Sequence, residues 1–257
     1  MRSRSTGHAT LVFAFCFWAG ASAAQAAEIK VLSAGAMKSV VTDLAGAFRQ
    51  ETGHTVVMSS GTAGEIRQKV TAGDPADVIF VTDTVVEQLA ANNMVAADSR
   101  ADIARTGIGV AVREGTPAPD ISTAEALKQT ILAAKSIVYT NPAMGATGGM
   151  HFAAVLQRLG IADAVKDKTV LWPGGYAAEA LLKGQADLCV HQISEILPVK
   201  GVTLVGPLPR ELQKITTYSA VLSSRAAHPE VARAFIAFAA RPSFKAKLAA
   251  AGLDYRE

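Results

Sequence analysis

The sequence predicts an α/β protein of two lobes, each a sheet flanked by helices. From residue 29 onward, short apolar runs alternate with helically spaced segments, as in strands joined by crossover helices. The alternation runs through two series with no Ser/Gly-rich spacer between them, so structured segments must carry the chain from one lobe to the other. The 257 residues are 50% hydrophobic, 18% charged and 6% aromatic. That is enough for two cores of about 100 residues each. The apolar content is largely Ala and Val, which suits helices packed on sheets with parallel strands.

The first 26 residues read as a cleaved signal peptide. Arg2 and Arg4 give a positive start, an apolar run follows from Leu11 to Ala21, and Ala24-Gln-Ala26 fits a small-x-small cleavage site. The run is short for a membrane span. Its removal leaves a net charge of +1. No basic stripe or run of like charge remains, so nucleic acid is not an expected partner. Cys189 becomes the lone cysteine, which excludes an internal disulfide and, inside an apolar run, reads as a buried thiol. The expected location is the periplasm of a Gram-negative bacterium, with no membrane insertion after signal removal.

The elements follow in order. Residues 29–34 read as a buried strand. Ala36, Val40, Val41, Leu44, Ala47 and Phe48 recur at helical spacing, and Gly53 ends that helix. Residues 55–58 form a second strand, and Ile66, Val70 and Ala72 mark a second helix. Residues 77–81 and 84–91 continue as strand and helix. The second series has strands at 108–112, 136–139, 169–171, 188–190 and 202–205, with helices at 124–133, 148–159 and 176–183. A strand at 218–222 and helices at 229–239 and 243–251 close the chain; His228-Pro229 sets a proline in a first helical turn. Crossings near 105–110 and 214–219 make a hinge. One lobe is then 27–107 plus 218–257, and the other 108–217.

Four small, polar loops precede helices: Ser33-Ala-Gly-Ala-Met-Lys38, Ser59-Ser-Gly-Thr-Ala-Gly64, Asn141-Pro-Ala-Met-Gly-Ala-Thr-Gly-Gly149 and Pro173-Gly-Gly-Tyr176. Each lies beyond a strand's carboxyl end, where open α/β sheets bind ligands. Helix starts offer unpaired N–H groups, and glycine lets an anion approach them. Ser33, Lys38, Ser60, Gly61, Thr62, Thr147, Gly175 and Tyr176 are therefore candidate ligand residues. Arg67, one turn into a helix, is a candidate bidentate clamp. Gln192 and Ser194 follow a strand and offer uncharged polar groups. Histidines at ligand spacing, a Gly-x-Ser-x-Gly elbow and a nucleotide fingerprint are all lacking, so no metal or cofactor is expected.

From Glu28 onward the chain resembles the periplasmic molybdate-binding protein family of ABC transporters. The stretches that carry the likeness are Val31-Leu-Ser-Ala-Gly-Ala-Met-Lys38, Ser59-Ser-Gly-Thr-Ala-Gly-Glu-Ile-Arg-Gln-Lys-Val70, Ala72-Gly-Asp-Pro-Ala-Asp77 and Gly206-Pro-Leu-Pro209. The resemblance implies a type II periplasmic-binding-protein fold with mixed sheets and two hinge crossings, closing on a small anion, with an ABC permease as a further partner. It also implies a departure. The family's two serine donors fall at Ala36 and Ala63, its tyrosine at Gln192, and neighbouring positions at Gly148 and Gly174. A tetrahedral cage would lose hydrogen bonds worth about 1.5–3 kcal/mol each to a charged ligand. A roomier site suits an organic di- or tricarboxylate better, with molybdate as the rival. Gln192-Ile-Ser-Glu-Ile196 with Gly174-Gly-Tyr176 is similar to a branch associated with aconitate, some members of which are described as aconitate isomerases.

Two functions stay open. A binding component needs only a hinge and donors. An isomerase needs a group that removes a carbon-bound proton and returns it. His191, Tyr176 and Glu195 are the leading candidates for that task, with His151 and Glu179 behind them.

Overall fold

The computed structural model describes residues 26–255 and forms two lobes, each built on one mixed sheet. The first lobe opens with strand β1 (Glu28–Ala34), a 3-10 turn, helix α1 (Lys38–Thr52), β2 (Thr55–Gly61), α2 (Ala63–Ala72), β3 (Val78–Thr82), α3 (Asp83–Ala91) and β4 (Val95–Thr106). The second follows with β5 (Ile108–Arg113), α4 (Ala124–Ala133), β6 (Ile137–Thr140), α5 (Thr147–Arg158), the short α6 (Ala162–Val165), β7 (Thr169–Trp172), α7 (Glu179–Leu182), β8 (Leu188–Gln192), α8 (Ile193–Ile196) and β9 (Val202–Pro207). The chain then returns to the first sheet with β10 (Thr216–Ser223), α9 (Pro229–Ala239), α10 (Lys245–Ala250) and β11 (Asp254–Tyr255).

Strand order is β11-β4-β10-β3-β1-β2 in the first sheet and β7-β6-β8-β5-β9 in the second. The β1, β2 and β3 strands pair in parallel, as do β6, β7 and β8. The β10 strand is antiparallel to β3 and β4, and β5 is antiparallel to β8 and β9. Strand β3 is buried along its whole length, as expected for a strand covered on both faces. Val78 and Phe80 face Phe48 and Phe235 under α1 and α9, while Ile79 and Val81 face Ile66 and Leu89 under α2 and α3. The second sheet repeats this arrangement, with Val110, Tyr139 and Phe152 on one face and Val138, Cys189, Leu181 and Ile196 on the other.

Local signals stop the helices where the sequence places them. Gly53 caps α1 in the left-handed conformation at φ 79°, and its N–H donates to Arg49 O. Pro229 opens α9. The β4 strand was not among the expected elements. Its sequence, VAADSRADIART, is polar and only partly buried, so it lacks an apolar run; antiparallel pairing with β10, across two register shifts, holds it. Expected helix 176–183 shrinks to α7, and 243–251 splits into a 3-10 turn and α10.

The chain leaves the first sheet at Thr106, enters the second at Ile108, and returns through residues 208–215. The signal-peptide assignment falls on residues 1–26, of which 1–25 lie outside the described residues. Among the described residues no helix is long and apolar enough to cross a membrane.

Candidate functional site

A cavity of about 360 Å³ lies between the lobes, where the loops at the carboxyl ends of β1, β2, β6, β7 and β8 converge. Its volume falls in the usual range for small-molecule sites. Ala36, Lys38, Ser60, Gly61, Thr62, Ala63, Thr147, Gly148, Gly174, Gly175, Tyr176, His191, Gln192 and Glu195 line it, so the four loops do meet.

Two expected ligand residues lie elsewhere. Ser33 is fully buried, and its Oγ donates to Ala34 O at 3.1 Å. Arg67 is exposed and lines a second hollow with Asp83, Gln88 and Lys214. Ala63 and Thr147 border both spaces, and the start of α2 meets the Met144–Gly145 turn between them, a partition that leaves Arg67 outside the cavity. The remaining candidates also point away. His151 Nε2 bonds Leu212 O at 2.7 Å, and Glu179 lies 3.6 Å from Lys183. Buried Ser194 Oγ finds no partner among the described residues and does not line the cavity.

The helix starts differ in what they still offer. Helix α2 is closed by its own capping box. Thr62 accepts from Glu65 N–H, and Glu65 Oε2 accepts from Thr62 N–H at 2.7 Å. Gly64 N–H donates across the cleft to Gly145 O at 3.1 Å. Neither the 3-10 turn Gly35–Met37 that leads into α1 nor α5 carries a side-chain cap. Lys38 N–H is already bonded to Gly35 O, so it is the starts of the 3-10 turn and of α5 that present N–H groups beside the cavity. Lys38 at the start of α1 sits with Nζ 5.3 Å from the Tyr176 ring centroid, and both line the cavity. Lys38→Met is expected to weaken binding of a polycarboxylate about fivefold, less at high salt, measured by calorimetry at two ionic strengths.

The lobes meet closely at this site. Thr62 Oγ1 donates to Met144 O at 2.5 Å. A Cβ added to Gly64 would stand 2.7 Å from Gly145 Cα, so the two backbones touch as only glycines permit. A Cβ on Gly35 would stand 2.5 Å from Glu195 Oε1, so this carboxyl of the second lobe fits only because the first lobe presents a glycine.

Glu195, on α8, is 8% exposed, and burial pushes its carboxyl pKa up, opposed in part by His191. His191 Nδ1 is 3.5 Å from Glu195 Oε2 and accepts from Gln192 N–H at 2.8 Å. Its Nε2 lies 3.0 Å from Gly175 O and 3.3 Å from Thr140 Oγ1. The carbonyl can only accept, which places a proton on Nε2, and the ring braces the loop at Gly175 against the end of β8. Glu195 is thus a buried carboxyl in the cavity wall with the His191 ring beside it.

Sequence reading missed several lining residues. Tyr218 and Thr140 sit on strands that gave no functional signal, and Ala34, Gly35, Ala146 and Pro173 belong to loops already singled out. Glu65 was legible from Thr62-x-x-Glu65, the capping-box spacing. Among the described residues, no group of three or more His, Cys, Asp or Glu is placed to hold a metal ion. The Cys189 thiol is fully buried, and burial pushes its pKa far up.

Comparison with known proteins fits this geometry. An aconitate isomerase from Pseudomonas sp is 32% identical over 218 residues, 82% of each chain. Molybdate-binding protein ModA of Azotobacter vinelandii is 29% identical over 231 residues, 86% of this chain and 88% of its own. The solved periplasmic molybdate-binding protein of Azotobacter vinelandii superposes with a TM-score of 0.76 at 25% identity, covering 89% of this chain and all of that one. The sulfate-binding protein SubI of Mycobacterium tuberculosis H37Rv shares the fold, with a TM-score of 0.72 at 18% identity over 90% of this chain and 88% of its own. The pattern described as bacterial extracellular solute-binding protein matches residues 29–254, and the chain belongs to that family.

Proposed function

We propose that the protein is an aconitate isomerase built on a solute-binding fold: the cleft closes on an aconitate-like tricarboxylate and shifts its double bond. The observation that carries this reading is Glu195, a buried carboxyl in the wall of a cavity otherwise supplied with N–H donors and Lys38. A site for binding an anion alone gains nothing from a buried acid, whereas a 1,3-proton shift requires one. The 32% identity to an aconitate isomerase supports the same reading.

The steps follow from the residues. Glu195, as carboxylate, takes a proton from the methylene carbon of trans-aconitate. The electron pair spreads through the double bond onto the conjugated carboxylate. The Glu195 carboxyl then returns the proton to the former vinylic carbon, leaving the double bond in its new position. Rotation in the delocalised intermediate gives the cis isomer. Its raised pKa makes the Glu195 carboxylate a stronger base once ionised, and the N–H groups at the starts of the Gly35–Met37 turn and of α5 offset the developing charge.

Binding without turnover is the second reading, favoured by the cross-lobe contact of Thr62 with Met144. Under it the protein is exported to the periplasm and delivers the anion to a permease. Proton NMR of trans-aconitate with a trace of protein in deuterated water separates the two. Isomerisation gives cis-aconitate signals and deuterium at the exchanging carbon. Selective line broadening with no conversion leaves the binding protein, and sharp aconitate lines with calorimetric molybdate binding overturn the carboxylate reading.

A further inference from the structure

We propose that Tyr218 is a catalytic residue of this site: its phenol O–H, oriented by Gln192 when the lobes close, donates to the substrate carboxylate on which charge develops. The proposal deepens the isomerase reading and rests on it.

Tyr218 lies on β10 of the first lobe, paired with Thr82 on one side and Ala104 on the other, so its backbone is held in the middle of a sheet. Its side chain is 3% exposed and lines the same cavity as Glu195. Gln192, at the end of β8 in the second lobe, donates from Nε2 to Tyr218 Oη at 2.9 Å. The phenol oxygen therefore accepts from one lobe's amide, and its own proton is left for a third group. Among the described residues Tyr218 Oη meets only Gln192 Nε2, so its own proton has no acceptor as it stands, while buried Gln192 Oε1 separately lacks a donor. A carboxylate in the cavity supplies the missing acceptor for Tyr218.

This donor has a specific use. Burial, with Glu195 and Asp83 nearby, holds the Tyr218 phenol well above its ordinary range. It keeps its proton throughout and does not act as the acid that protonates carbon. A neutral hydrogen bond to a carboxylate strengthens as electron density moves onto that carboxylate, so it favours the intermediate over the bound substrate. Glu195 carries the proton in both directions, and Tyr218 carries none. Because Gln192 and Tyr218 belong to different lobes, closure itself sets the donor in place.

The test compares wild type, Tyr218→Phe and protein carrying fluorinated tyrosine at position 218, each assayed for aconitate isomerisation. Tyr218→Phe is expected to lower kcat about 10²–10³-fold with KM little changed. The fluorinated proteins keep the ring and hydroxyl, and kcat is expected to rise with the acidity of the phenol. Full activity in Tyr218→Phe, a loss confined to KM, or a rate indifferent to fluorination each overturns the proposal while leaving the isomerase standing. An inert wild-type protein overturns both. If Tyr218→Phe does not fold, the fluorinated series alone decides.

Discussion

Glu195→Gln is expected to abolish isomerisation, by about 10²–10⁴-fold, while leaving aconitate binding intact and making the protein more stable at neutral and alkaline pH. The chemistry follows from its place as the cavity's buried acid, braced by His191 and seated against Gly35. The stability effect has a definite sign. Burial raises the pKa of Glu195 in the folded state above its value in the unfolded chain. Between those two values the folded protein binds more protons than the unfolded one, so stability falls as pH rises through that window. Below the unfolded pKa both states are protonated and the penalty is absent. Gln has nothing to ionise, so the variant's advantage in thermal melting is small in acid and grows with pH. Melting curves across the pH range check it. An advantage that is flat with pH, or that is largest in acid, contradicts a buried carboxyl. The wild-type rate is expected to rise with pH through the raised pKa, because the carboxylate form takes the first proton.

The second large effect concerns closure. Gly64→Ala is expected to weaken ligand binding by about 5–150-fold without destabilising the ligand-free protein. The added methyl group meets Gly145 Cα at 2.7 Å and Met144 O at 2.9 Å, which are backbone atoms of the opposite lobe. Overpacking of that kind costs about 1–3 kcal/mol, and only the closed arrangement bears it. In the open state alanine sits in the first turn of α2, where it is a better helix former than glycine by up to about 1 kcal/mol. Calorimetric titration should show the loss of affinity, and melting of the free protein should show an unchanged or raised Tm. Equal affinity would mean that ligand does not require the Gly64–Gly145 contact. Gly145→Ala is a less informative change, since Gly145 has φ 68° and alanine there is strained whether or not the lobes meet.

Most of the element order, the buried character of the parallel strands and the loops that form the cavity could be read from the chain alone. These are local properties. The 3.6-residue spacing of Val40, Leu44 and Phe48, the stop at Gly53 and the small residues of the four loops act over a few positions and need no distant partner. His191 and Glu195 were legible as candidates because they follow the strand 188–190, in and beside the Gln192-Ile-Ser-Glu-Ile196 pattern. Tertiary structure decided the rest. Strand β4 exists because β10 returns to pair with it, and its own residues carry little strand signal. Arg67 lies one turn from a cavity loop in sequence, yet the contact of α2's first turn with the Met144–Gly145 turn walls it off. Tyr218 follows Glu195 by more than twenty residues and belongs to the other lobe. It joins Gln192 only because two sheets close against each other, and no pattern within one stretch of chain encodes a hydrogen bond formed by that closure.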